Sequence, residues 1–496
     1  MKILKISAYL TMVLLIAGCS LFSLDRPLVV SVGEVPETYH PHRAETLGEA
    51  FLAKSLYETL VTRGGRTDSL SPALAESWAA DEEYRVFTFT LREDARWSNG
   101  SPVTADDVRE SWLALLDPAL EAPNAWYPSR YIAGALEYAG GVGTAAEVEL
   151  TVVDERTLSV GLREPLSVFP ALLDHHSLAV VPRDEGVFGG PYVLDSFETG
   201  VARLKRNRRY HAGEGYNVSR VTILSDPGTR KVDWTLGAGT DATGPEDNSA
   251  VDSITALVLP LPSLDYLMFN TASEPFGDTR LRRALSLAID NEALLREIFP
   301  GPVAAPAVPA DKTTDRAEAR RLLSAAGYGG SVEAPANTLS VELLVNDRDE
   351  HRRMAEAVAE QWREVLGIET RIVEEEWPTY LRLRERRSFE VARAGWLGYY
   401  PDDAAILEAF ASGASANDGS YRSARFDELL GLSRRVPPGE ERRRLLGEAR
   451  RILIGEDAAI VPLFHRQEVD LVDTETWSGW DDPLRGRFSL RYLTRR

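Results

Sequence analysis

Seven histidines and one cysteine are the side chains of this chain with the sharpest chemical potential. Two histidine pairs lie close in sequence, His40/His42 and His175/His176. Adjacency alone is a weak metal signature, because a zinc site needs three or four ligands on a defined spacing. The chain contains no His-Glu-x-x-His, no Gly-x-Ser-x-Gly and no Gly-x-x-x-x-Gly-Lys-Ser/Thr. It therefore offers no zinc-protease helix, no acyl-transfer elbow and no phosphate loop that could power a transport cycle. Carboxylates are plentiful but cannot be paired from sequence, so an acid–base pair for glycoside cleavage stays open on chemistry alone. No catalytic residue, metal or cofactor is expected. Binding chemistry is better represented: His351, Trp377, Arg384, Arg393, Trp396, Tyr399 and Tyr400 cluster in one stretch of the C-terminal half.

Those residues sit where predicted elements end. Residues 339–345 (LSVELLV) read as a strand. Residues 352–366 read as a helix, with Met354, Val358, Trp362 and Val365 or Leu366 on one face and Gly367 as its left-handed stop. Residues 368–373 form the next strand, Pro378 opens a short helix in its first turn, and residues 389–394 form a third strand. A β-α-β-α-β order implies parallel strands with right-handed crossovers. Ligands of open parallel sheets lie beyond the carboxyl ends of the strands, here residues 346–351, 374–377 and 395–403. Trp377 and Trp396 on those segments read either as stacking surfaces of a cleft or as packing anchors. Earlier in the chain, residues 28–32 and 84–91 read as strands. Thr104 reads as the N-cap of a helix carrying Val108 and Trp112, and Asp106 and Asp107 serve its first turn.

The N-terminus carries a second signal. Lys2 and Lys5 precede an uncharged apolar run from residue 6 to 17, which ends Leu15-Ile16-Ala17-Gly18-Cys19. The run is short for a membrane span and suits a secretory h-region. Small residues directly before the only cysteine resemble the bacterial lipobox, which implies cleavage after residue 18 and lipidation of Cys19. With 56 Lys+Arg against 76 Asp+Glu the net charge is −20, so a nucleic-acid partner is not expected. The arginine-rich stretches 203–209 and 382–387 read as solvated faces, Arg384 excepted. No tandem repeat is visible. Residues 237–250 read as a surface loop and 302–309, with three prolines, as an extended connector.

Residues 70–108 (LSPALAESWAADEEYRVFTFTLREDARWSNGSPVTADDV), 275–290 (PFGDTRLRRALSLAID), 317–328 (AEARRLLSAAGY) and 389–396 (FEVARAGW) together resemble the extracellular solute-binding proteins of ABC transporters, family 5, in their peptide- and oligopeptide-binding group. The resemblance runs from about residue 28 to the end. It implies an α/β, two-lobed periplasmic binding protein fold (type II, three formal domains) with a hinge and an interlobe ligand cleft. Domain I would comprise 19–57, 183–270 and 467–496; domain II, 58–182; and domain III, 271–466. The implied function is capture of oligopeptides and delivery to ABC permease subunits, by a monomer tethered to the cell envelope through its lipid alone. A non-peptide solute, or an amine-blocked peptide, is the alternative ligand, and a hydrolase using the same cleft has no positive feature behind it.

The resemblance also implies site residues. Glu45, Thr46 and Leu47 fall on the segment that pairs with the peptide main chain, and Trp377 on the pocket tryptophan. His351, Arg384 and Arg393 fall near the ligand's carboxylate or side chains, and Gly395 and Trp396 run alongside the peptide. Tyr399 stands where relatives carry an aspartate for the ligand's α-ammonium, which makes Asp402 or Asp403 the candidate substitute. Residues 225–233 are shorter than the family pattern and lose a helix.

Overall fold

A computed structural model describes residues 26–64, 70–238, 254–299, 307–328, 339–400, 402–481 and 488–496. Cys19 and its leader, residues 239–250 of the expected loop and 302–306 of the expected connector lie outside them.

Three large sheets carry the architecture. The seven-stranded sheet runs in the order Ile254–Pro260, Gln467–Asp473, Trp234–Thr235, Leu28–Ser31, Arg220–Leu224, Val201–Arg206 and Tyr192–Glu198. Its core packs Leu28, Val30, Phe51, Leu52 and Trp234 beneath helix Leu47–Leu56. The four-stranded sheet, Ala75–Ala80, Val86–Leu91, Thr157–Gly161 and Leu150–Asp154, is antiparallel throughout. Phe87, Phe89 and Leu91 alternate inward along its second strand, against Val108, Trp112 and Leu115 of helix Ala105–Leu116. That helix starts as expected. Thr104 accepts from the Asp107 N–H, and Asp107 in turn accepts from the Thr104 N–H, a reciprocal capping box.

The five-stranded sheet runs Glu369–Glu375, Ser340–Asn346, Val391–Leu397, Ser263–Phe269 and Ile460–Phe464. The three strands read from the sequence are parallel, as their helical connections require. The other two join antiparallel, so the whole sheet is mixed. It is covered on both faces, and period-two alternation sorts its side chains: Leu267 and Phe269 into one core with Trp362, Tyr266 and Met268 into another with Tyr380. Helix Asp349–Leu366 ends at Gly367 with φ 68°, the left-handed stop expected of it.

Two readings need correction. The strands run further than apolar content suggested, to Asn346, Glu375 and Leu397, because backbone pairing continues through polar residues and glycine (Asn346 with Glu375, Gly395 with Asp265). Gly395 and Trp396 are therefore strand residues rather than loop. Residues 225–233 form turns and no helix, in keeping with their brevity.

The chain crosses between the seven- and five-stranded sheets twice, side by side. Pro260 leads to Ser263 within two residues, and Phe464 leads to Gln467 likewise. Leu261 N–H donates to Arg466 O at 3.1 Å, and Arg466 N–H to Ser263 Oγ at 2.8 Å. Paired strands joined by so few residues make a connection that bends as a unit.

Candidate functional site

The five-stranded side of the cleft is built around a buried charge. Strand Ser263–Phe269 is fully buried and apolar except for Ser263 and Asp265, which is 1% exposed. A carboxylate there must be paired. Register places Asp265 opposite Gly395, and two residues along that strand Arg393 donates to Asp265 Oδ1. Arg466, from the strand connection, closes the other side with Nε to Oδ2 at 2.6 Å and Nη2 to Oδ1 at 2.8 Å. Gly395 lies beside this pair, and a Cβ there would meet Asp265 Oδ1 at 3.4 Å and Arg393 Nη2 at 3.6 Å, ordinary van der Waals contact.

His351, in the first turn of helix Asp349–Leu366, joins the cluster. Its Nδ1–H donates to Asn346 Oδ1 at 2.7 Å, leaving Nε2 an acceptor, buried and without a partner. Burial, with Arg393 and Arg466 adding to it, pushes its pKa down to about 3, so the ring is neutral at physiological pH. Arg393 Nε is likewise buried and unpartnered. One donor and one acceptor thus stand unsatisfied in a single cluster, each costing about 1–3 kcal/mol while it stays so.

Arg384 extends the network along helix Trp377–Glu385. It pairs with Asp418 at 2.7 Å, and its guanidinium lies 5.5 Å from the centroid of the Tyr380 ring. Tyr380 Oη in turn donates to the Arg393 carbonyl. The two tryptophans divide between the alternatives open in the sequence. Trp377 is 51% exposed, stacked on Tyr380 at 5.5 Å and 22°. Trp396 is half-buried, its Nε1–H donating to Ala405 O at 2.8 Å, and it serves packing.

Across the cleft, Thr46 caps helix Leu47–Leu56 and Glu49 completes the capping box. The Glu49 carboxylate also takes the N–H groups of Glu37 (3.0 Å), Thr38 (3.3 Å) and Glu45 (2.9 Å) besides that of Thr46 (3.1 Å). Burial pushes the Glu49 pKa up, but these four donors together hold it below the usual range. The expectation for Glu45, Thr46 and Leu47 is narrowed accordingly: the N–H groups of Glu45 and Thr46 are already spent on Glu49.

Tyr399 and Asp402 are placed differently from expectation. Tyr399 leaves the five-stranded unit and packs on the four-stranded one, 4.8 Å from Trp126, 5.4 Å from Tyr127 and 6.2 Å from His175 between ring centroids. Tyr400 follows it into that core. Asp402 is already paired: Arg442, 1% exposed, donates to both its oxygens at 2.8 Å. Asp403 is held by Arg450 at 2.7 Å. Withdrawing Asp402 would leave the buried Arg442 with backbone carbonyls alone, whereas Arg450 would keep Asp311. The same two units meet again where Ser167 N–H donates to Arg434 O at 2.8 Å. Among the described residues no group of three His, Cys, Asp or Glu could hold a metal ion, and no helix is long and apolar enough to cross a membrane.

Sequence reasoning missed Asp265, Arg466 and Trp126. Asp265 had a signal, an acid inside the apolar strand SLDYLMF, and a buried acid demands a partner. Arg466 and Trp126 had none.

Two α/β units joined by paired strands define the fold of a two-lobed solute-binding protein. Residues 69–418 match the bacterial extracellular solute-binding proteins, family 5 (middle region), and the chain belongs to that family. It is a binding protein rather than an enzyme. It is 29% identical to the periplasmic oligopeptide-binding protein OppA of Salmonella typhimurium, over 92% of this chain and 90% of that one. Its fold superposes on the unliganded open form of MppA, a periplasmic murein tripeptide binding protein, with TM-score 0.82 at 25% identity, covering 95% and 98% of the two chains. Against the Haemophilus influenzae OppA complex with RPPGFSPFR the TM-score is 0.65 at 26% identity, covering 95% and 99%. The chain thus superposes better on the unliganded open form than on the peptide complex.

Proposed function

We propose that this protein captures oligopeptides between the unit around the seven-stranded sheet and the unit around the five-stranded sheet, and delivers them to the membrane permease of an ABC importer. The observation that carries the reading is the Asp265–Arg393–Arg466–His351 cluster. Its unsatisfied donor, Arg393 Nε, and unsatisfied acceptor, His351 Nε2, are the complement of a peptide group, which brings one carbonyl and one N–H. Trp377 supplies an exposed ring for a ligand side chain, and Gly395 leaves room for the ligand backbone. Arg384, linked to the cluster through Tyr380, is assigned to the same side, and Glu45 and Leu47 to the other. The three-domain division follows the cores, with the four-stranded unit as domain II, and the paired strands at residues 260–263 and 464–467 are the hinge. Closure about that hinge bury the cluster further and lets the ligand complete it.

Cys19 is proposed as the lipid attachment site, holding a monomeric protein at the cell envelope. Each buried methylene contributes about 0.8 kcal/mol, and a single chain holds only marginally, so several chains are expected. Cys19→Ser should yield unprocessed or released protein.

Mass spectrometry of small molecules released on denaturing the purified protein tests the ligand class. Peptides bound in stoichiometric amount support the reading, and a bound sugar, bile acid or metal chelate in their place would overturn it.

A further inference from the structure

The chain enters and leaves the four-stranded unit from the seven-stranded sheet, so no covalent link ties that unit to the five-stranded one. Side chains make the tie instead. Ser167, 7% exposed, reaches the turn that ends helix Ala424–Ser433. Its N–H donates to Arg434 O at 2.8 Å and its Oγ to Val436 O at 2.6 Å. Both carbonyls lie just past a helix end, where the helix has no N–H left to offer them. Arg434 adds charge to the same contact. Its Nε donates to Glu408 Oε1 at 3.1 Å within its own unit, and its Nη1 donates across the seam to Glu164.

A second contact lies along the same seam. Tyr400 and Ala405, from the five-stranded side, are buried in the core of the four-stranded unit. Arg442 joins the two contacts, because it holds Asp402 and also donates to the carbonyls of Ser433 and Val436. The segment that carries Tyr400 starts on the hinge. Gly398 N–H donates to Pro262 O at 2.6 Å, and a Cβ on Gly398 would stand 3.0 Å from that oxygen, tighter than side chains ordinarily pack. Hinge strand, tyrosine and Ser167 turn are thus one connected structure. Exposed ion pairs part readily, whereas separating this seam would expose a buried ring and leave the Ser167 donors without their carbonyls.

We propose that Ser167 and Arg434 are positioning residues for ligand capture: with the hinge strands they give the closing units a second, non-covalent attachment point, so that the cleft shuts by rotation about the line joining the two. This rests on closure of the cleft as proposed above. Two short strands alone permit twisting as well as bending. A second attachment removes the twist, and the two lips then meet in one register. A pivot of this kind stays joined whether the cleft is open or shut, whereas a latch parts in one of the two states. Arg434 is the adjustable member. Its side chain is 30% exposed and spans Glu408 and Glu164, so it follows a small rotation while Ser167 stays bound.

The test uses the full chain released by Cys19→Ser. Spin labels at Thr151→Cys and Glu364→Cys, both exposed, report the distance between the four- and five-stranded units by pulsed electron resonance. Without ligand the distance distribution should be narrow, and Ser167→Ala together with Arg434→Gln should broaden it markedly. Should that pair fail to fold, Glu164→Gln changes only an exposed partner and should broaden it less. Unchanged width in every folded variant would overturn the proposal. A second arm separates pivot from latch. Glu164→Cys and Arg435→Cys, both exposed, are bridged by a short reducible bis-maleimide, which joins the seam and keeps Ser167 and Arg434. The joined protein should bind a peptide retained from a randomised tri- to hexapeptide library within about two-fold of the unbridged control, and X-ray scattering should show the same contraction on binding. Loss of that contraction, regained on reducing the bridge, would make the seam a latch and overturn the pivot. Retention of no peptide would count against the peptide reading, while the label distances, which need no ligand, still decide the pivot.

Discussion

The two lips of the cleft neutralise a buried carboxylate in opposite ways. On one, Glu49 is satisfied by four backbone N–H groups drawn from residues 37–46, within twelve positions of itself. On the other, Asp265 is satisfied by Arg393 and Arg466, which are 128 and 201 residues away. The first is a local corner that forms wherever its helix forms. The second exists only when three strands and the connection between the two units are assembled. It also ties ligand chemistry to the hinge, because Arg466 belongs to the connection itself.

Breaking the long-range cluster should have the larger effect. Asp265→Ala strands the buried Arg393, while Arg466 keeps Glu350 at 3.7 Å, and breaking a buried pair from one side costs about 3–5 kcal/mol. Urea unfolding should show that loss, and ligand binding should fall with it even where the protein remains folded. Glu49→Gln keeps the shape of the local corner and removes its charge. Charge-assisted hydrogen bonds contribute about 1.5–3 kcal/mol, so a smaller loss is expected, confined to the unit around the seven-stranded sheet. If Glu49→Gln proved the more damaging, the distinction between local and assembled would fail.

Acid probes both lips at once. Burial pushes His42, on the seven-stranded side, and His351, on the other, down to about 3, and His176 to about 4. The unfolded chain takes up these protons from about pH 6.5 downward while the folded chain does not. Stability from these groups is therefore complete above pH 6.5 and declines as pH falls toward 4. Melting temperature followed from pH 7.5 to 4.5 should drop, and His42→Gln should flatten the curve. An unchanged slope in that variant would remove His42 from the account.

The smallest stability effect is expected at Trp377. It is half exposed, so Trp377→Ala should shift stability by no more than about 0.5 kcal/mol. The change in tryptophan fluorescence on adding ligand should nevertheless shrink markedly. A large loss of stability would make Trp377 a packing anchor after all.

What was legible in the sequence follows the range of the forces involved. The helix at Thr104 was readable because an N-cap and its first-turn acids, Asp106 and Asp107, lie within four residues. The parallel strands and the stop at Gly367 were readable because side-chain periodicity and a left-handed turn are local. Strand ends were read too short, since backbone pairing through Asn346 and Gly395 depends on a neighbour the local sequence does not display. Asp402 illustrates the same limit: its spacing from Gly395 suited a ligand contact, and Arg442, forty residues on, had already claimed it.

Family, fold class and the absence of catalytic motifs were thus set by the amino-acid sequence alone, through segment order and local pattern. Which charges remain free to meet a ligand was decided only by the tertiary structure. An ion pair forms wherever folding brings opposite charges within about 4 Å, and that distance has no counterpart in sequence spacing.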